Sequence, residues 1–221
     1  MADERERRVQ VPEGGVLLEG LLAVPTEATG IVLFAHGSGS SRMSPRNTVV
    51  ARGLRKLGIG TFLFDLLTPD EDAEAETRFD IALLTRRLLA ATRWLEGQPV
   101  ARGRSLGYFG DSTGGAAALE AAAESGAKLS AVVIRGGRPD LAPEALPRVT
   151  AATLLIVGGR DRDVLELNRA AGARLRAPHQ LSVVHGASHL FEEPAALEEV
   201  AKLAGDWFAR YLQPRSSFPA K

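Results

Sequence analysis

Ser105-Leu106-Gly107-Tyr108-Phe109-Gly110-Asp111-Ser112-Thr113-Gly114-Gly115-Ala116-Ala117-Ala118-Leu119 is the stretch that decides the fold. Its opening residues are mostly apolar or small, as a strand covered on both faces requires. Its closing residues are small, as a helix seated closely on a sheet requires. Between them lies Gly-x-Ser-x-Gly, from Gly110 to Gly114, which on its own is a weak pattern. Flanked by strand and helix it reads as a tight strand-to-helix turn. Such a turn holds Ser112 in unusual backbone angles and needs glycines where larger side chains would collide.

Working outward, apolar runs alternate with segments of helical periodicity, the pattern of a mostly parallel sheet wrapped by helices. Strands are expected at 16–24, 31–35, 61–65, 106–109, 131–134, 153–157 and 181–184, with 7–11 as a further edge strand and the first hairpin antiparallel. Helices are expected at 45–57, 79–95, 114–125, 164–176 and 194–212, with Gly58 and Gly126 as stops. The continuous apolar run Ile31-Val32-Leu33-Phe34 calls for helices on both faces. The fold class is therefore α/β: one doubly wound, mostly parallel sheet of about seven to eight strands in a single domain, with residues 1–6 and 214–221 as flexible ends. The acidic stretch Pro69 to Glu76 reads as a loop. Only about 18 residues separate the strand ending near Ile134 from the one beginning near Thr153, and Pro139, Pro143 and Pro147 punctuate them, so no large cap fits there.

Composition narrows the function. Among 221 residues, 45% are hydrophobic, enough for one substantial core, and Lys plus Arg equal Asp plus Glu at 27 each. A balanced charge favours neither nucleic acid nor a membrane surface as partner and points to a small molecule. Absence of cysteine excludes disulfides and a thiol nucleophile. The charged start, Met1 to Arg8, is followed by no apolar signal segment, and no apolar run reaches the roughly 18 residues of a membrane span, so a cytoplasmic protein is expected.

A serine needs a base at neutral pH, and the base needs a third group to fix its tautomer. Asp161 follows the strand Leu154 to Val157, and His189 lies on the loop after the last strand. All three residues then fall beyond carboxyl ends of strands, where open α/β sheets build their sites. His185 is the rival base but ends its strand. Asp163 is the rival acid but falls where a helix cap is expected. His179 reads as a surface residue.

A tetrahedral oxyanion calls for two preorganised donors. The amide of Thr113 supplies one, and Ser38 is assigned the other, from the loop Ala35-His36-Gly37-Ser38-Gly39-Ser40-Ser41-Arg42, with His36 orienting that loop. The same loop could cradle phosphate, but it lacks the third glycine of GxGxxG and the GK[ST] ending of a P-loop.

These residues together resemble the serine-containing, dienelactone-hydrolase-like branch of the α/β-hydrolase superfamily. The resemblance rests on Phe34 to Arg42, Ser44 to Asn47, Asp65 to Pro69, Arg135 to Asp140 and Gly186 to Pro194, and covers most of the chain. It implies a Ser-His-Asp mechanism on esters or lactones without metal or organic cofactor. Three positions depart from the family pattern, which has a small residue at Asp111, a histidine at Met43 and a serine at Ile134. All three are candidates to adjoin the pocket, although GDSxGG also resembles the elbow of hormone-sensitive-lipase-like esterases. Arg135 and Arg138 are candidates to grip a substrate carboxylate, or to pair with Asp65, Asp111 or Asp140. Esterase, thioesterase and acyltransferase chemistry remain open on this triad, as do a non-catalytic binding module and a monomer or homodimer.

Overall fold

The computed structural model describes residues 6–213; the expected flexible ends at 1–5 and 214–221 lie outside them. Glu6, expected in the flexible start, sits 3.4 Å from Arg55. The described residues form one eight-stranded sheet in the order β1-β2-β4-β3-β5-β6-β7-β8. Its strands are β1 Arg7–Glu13, β2 Val16–Ala23, β3 Gly30–Ala35, β4 Gly60–Phe64, β5 Ser105–Asp111, β6 Leu129–Arg135, β7 Ala152–Gly158 and β8 His179–Val184. β1 and β2 pair antiparallel, as do β2 and β4, and every later pairing is parallel.

Helices cover both faces. α1 (Pro45–Lys56) and α7 (Ala196–Tyr211) bury Val50, Leu54, Val200 and Phe208 against one face. α4 (Ile81–Glu96) and α5 (Thr113–Ser125) bury Leu84, Leu88, Ala117 and Leu119 against the other, with Ala171 of α6 (Arg162–Gly172) in the same layer. Each fully buried Leu or Phe is worth about 1.5–3 kcal/mol, so the two layers carry most of the stability. Two-sided cover also explains why β3, β4, β5 and β7 are buried along their whole length.

Two expectations fail for identifiable reasons. The stretch from Pro69 is not a loop but two short helices, α2 (Pro69–Ala73) and α3 (Ala75–Arg78). Thr68 and Glu71 form a reciprocal capping box, Pro69 fits the first turn, and Asp70, Glu71 and Asp72 sit at the positive end of the helix dipole. Asp163 caps nothing: α6 starts two residues earlier than expected, at Arg162, with Asp161 as its cap residue and Asp163 exposed in its first turn.

Residues 136–151, between β6 and β7, hold only two short 3-10 turns, Pro139–Leu141 and Leu146–Arg148. No helical cap stands over the carboxyl ends of the strands at this point. Among the described residues, no helix is long and apolar enough to cross a membrane.

Candidate active site

Ser112 sits between β5 and α5 with φ 49° and ψ −120°, a conformation that costs on the order of 1–3 kcal/mol in a residue with a side chain. Three hydrogen bonds hold it there. Its N–H donates to the Arg135 carbonyl (3.3 Å), and its carbonyl accepts from the N–H groups of Gly115 (3.0 Å) and Arg138 (3.2 Å). The flanking glycines are steric necessities: a Cβ on Gly110 would lie 2.7 Å from the Gly114 carbonyl oxygen, and one on Gly114 would collide with the carbonyls of Ala35 and His36.

Asp161 leaves the turn after β7 with its N–H on the Gly158 carbonyl (3.0 Å). Its side chain gives no hydrogen bond to its own helix and instead reaches His189, Nδ1 to Oδ2 2.6 Å. With Asp161 ionised, Nδ1 carries the proton and donates, which leaves the Nε2 lone pair to accept one. The two loops are stitched together: the Arg160 N–H donates to the Ala187 carbonyl (3.0 Å), and the Arg160 guanidinium pairs with Glu193. Glu193 in turn accepts from the Ser188 N–H (3.0 Å), and that bond first of all draws its pKa down to about 2. His185 is exposed on the far side of the same turn.

The 135–138 turn relates His189 to Ser112. Arg135 and Arg138 bond the Ser112 backbone, and a Cβ on the intervening Gly136 (φ 53°) would lie 3.4 Å from His189 Cε1. From below, Asn168 of α6 donates to the Gly137 carbonyl (3.0 Å). The Asp161–His189 pair and the Ser112 turn thus both meet residues 135–138, with no hydrogen bond between Ser112 Oγ and His189.

The other predicted residues divide. Thr113 opens α5, one residue before the expected start, and its hydroxyl accepts from the Ser38 N–H at 2.9 Å, so the second expected oxyanion donor is engaged. His36 is buried; its Nε2 accepts from the Leu66 N–H (2.9 Å) while Nδ1 lies 3.0 Å from the Gly37 carbonyl, so it orients the loop and does not meet substrate. Ile134 is fully buried, and its Cγ2 would stand 2.9 Å from a Cβ on Gly115, a packing role. Asp111 and Arg135 are buried and form an ion pair with each other. Arg138 binds Asp140 through two bonds of 2.8 and 2.7 Å, and that contact lowers the carboxyl pKa of Asp140. Met43 remains open to solvent at 63% exposure.

Two features escape sequence reasoning. Asp65 accepts from the Arg42 N–H (2.7 Å) and pairs with its guanidinium, fixing the loop after β3 to the loop after β4. Phe191, fully buried at φ 55°, pins the His189 loop into the core. Leu190-Phe191 is an apolar pair in this loop, and nothing in the sequence marks Phe191 as its buried member.

With this geometry in hand, comparison with known proteins is informative. The description of the dienelactone hydrolase family matches residues 18–213. The chain belongs to the dienelactone hydrolase family. Dienelactone hydrolase from Anabaena variabilis shares 54% identity and a TM-score of 0.91, over 95% of this chain and 99% of that one. Est1E from Butyrivibrio proteoclasticus, at 15% identity and a TM-score of 0.80 over 92% and 98% of the two chains, shares the fold. Two Mycobacterium tuberculosis proteins provisionally named phosphoribosyl transferases are 56% identical over 208 residues, 94% of this chain. The chain spans 47% of the length of those relatives. Family membership accords with the eight-stranded sheet, which is the α/β-hydrolase scaffold.

Proposed function

We propose that the protein is a serine carboxylic ester hydrolase acting on small esters or lactones. The observation that carries this reading is the 2.6 Å bond from His189 Nδ1 to Asp161, made beside a turn whose backbone clamps Ser112 at φ 49°. Ser112 Oγ attacks the carbonyl carbon as His189 Nε2 takes its proton. The Thr113 amide receives the oxyanion, joined by the Ser38 amide once the Thr113 hydroxyl releases it. The alkoxide leaves with the proton from His189, and water, deprotonated by the same nitrogen, then frees the acyl group. No metal or organic cofactor takes part in these steps. The segment 136–151, without a helical cap, supports small or flexible substrates over long-chain lipid, and the protein works as a monomer or homodimer.

The transferase name of the M. tuberculosis proteins belongs to proteins of which this chain spans 47%. The test is a panel of esters, thioesters and lactones with the wild type and Ser112→Ala, alongside fluorophosphonate labelling. Labelling at Ser112 and a loss of turnover by orders of magnitude in Ser112→Ala are expected, because members of such a triad act as a unit. Near-wild-type turnover in that variant would refute the reading.

A further inference from the structure

Asp111 and Arg135 are the last rung of the β5–β6 pairing, directly beneath Ser112. Their side chains are 8% and 5% exposed and form an ion pair. An ion pair this deeply buried rarely adds stability over an apolar pair of the same volume. Stability alone is therefore a weak account of its position, and its other contacts supply a better one. The Arg135 guanidinium lies 5.9 Å from the centre of the Phe109 ring and 6.0 Å from that of Phe191, the strained, fully buried residue two places after His189. The Arg135 carbonyl holds the Ser112 N–H at 3.3 Å, and a Cβ on the next residue, Gly136, would lie 3.4 Å from the His189 ring. Asp111 also faces the loop after β3, since a Cβ on Gly37 would lie 3.7 Å from its Oδ1 and 3.1 Å from Ser112 Cβ. Burial pulls the Arg135 pKa down and the Asp111 carboxylate pushes it back up.

We infer that Arg135 is a positioning residue that ties the Ser112 turn, through Asp111, to the His189 loop, through Phe191. The inference rests on the assignment of Ser112 and His189 as nucleophile and base. It joins the Ser112 turn and the His189 loop into one unit: a shift of the nucleophile turn is transmitted to the base loop through a single guanidinium, and the distance between Ser112 and His189 is held by a charge pair on one side and an aromatic face on the other.

The test compares wild type, Arg135→Met, Asp111→Asn and the double variant, by steady-state kinetics on an ester across pH and by circular dichroism. In each single variant kcat falls about tenfold or more while KM stays within about threefold, as expected when orientation and not binding is lost. The acid limb of kcat/KM moves to higher pH in Arg135→Met, where an anion is left uncompensated near the base, and to lower pH in Asp111→Asn, where a cation is left. The double variant restores the limb but not kcat. The other charges around the base loop, Asp161, the Arg160–Glu193 and Arg46–Glu192 pairs, and Arg138 with Asp140, are unchanged in every variant. Folded single variants with wild-type kcat overturn the inference, as does a fall in kcat with the limb unmoved, which reduces the pair to packing. Should the single variants not fold, the double variant decides: lower kcat at unchanged KM supports the tie and wild-type kcat overturns it. Failure of the underlying assignment shows separately, as absence of fluorophosphonate labelling at Ser112 in the wild type.

Discussion

The two sides of Ser112 are built differently. Towards β6, β7 and β8, the base is held before any substrate arrives: His189 is bonded to Asp161, Glu193 holds Ser188, and the Asp111–Arg135 pair is buried, although no hydrogen bond joins Ser112 Oγ to His189. Towards β3 and β4, the loop is well anchored by His36 and Asp65, yet the amide of exposed Ser38 donates to the Thr113 hydroxyl. The proton-handling side thus has its base oriented at rest, whereas the charge-stabilising side has one donor spent internally. The difference suits the chemistry, because the base must be oriented before attack while the second amide is needed only once charge develops.

The largest expected effect tests the proton-handling side. Asp161→Asn should lower kcat by about 10³–10⁴-fold, since the wrong histidine tautomer is then favoured; a loss of less than tenfold in the ester assay would break the comparison. Next, Arg135→Met should destabilise the fold by about 3–5 kcal/mol in urea titration, by leaving a buried carboxylate unpaired. Combining it with Asp111→Asn should recover most of that loss. On the other side, Thr113→Val keeps the shape and frees the Ser38 amide, so kcat should rise by up to about tenfold, the equivalent of one neutral hydrogen bond. A fall would show that the hydroxyl is needed where it is. The smallest effect concerns Glu193. Its folded pKa of about 2 is depressed from 4.5, so its contribution is present above about pH 4.5 and lost as pH falls towards 2. Glu193→Gln should flatten that part of the thermal-midpoint profile against pH.

Most of the sheet was legible in the sequence, because strand periodicity is a local property, and the chain order of Ser112, Asp161 and His189 already singled out the Asp161–His189 pair that the structure bonds. Other side-chain partners across loops were not legible. Nothing in the spacing says that Thr113 Oγ1 turns towards Ser38 or that Phe191 takes a positive φ, since both depend on where other loops end up. The pairing of Arg135 was open among three aspartates, and only the register of β5 on β6 selects Asp111. Helices α2 and α3 were missed for a different reason: their acidic composition resembles a solvated loop, and only the Thr68–Glu71 capping box distinguishes them.

The short turns at 136–151 also bear on the fate of an acylated Ser112. An intermediate formed beside turns that carry no helical cap would be reached by bulk water, which outnumbers any added alcohol. Partition between hydrolysis and transfer would then follow the acceptor's concentration, rising in simple proportion without saturation, and a chain of this build would become a useful transferase only if something else came to sit over those turns.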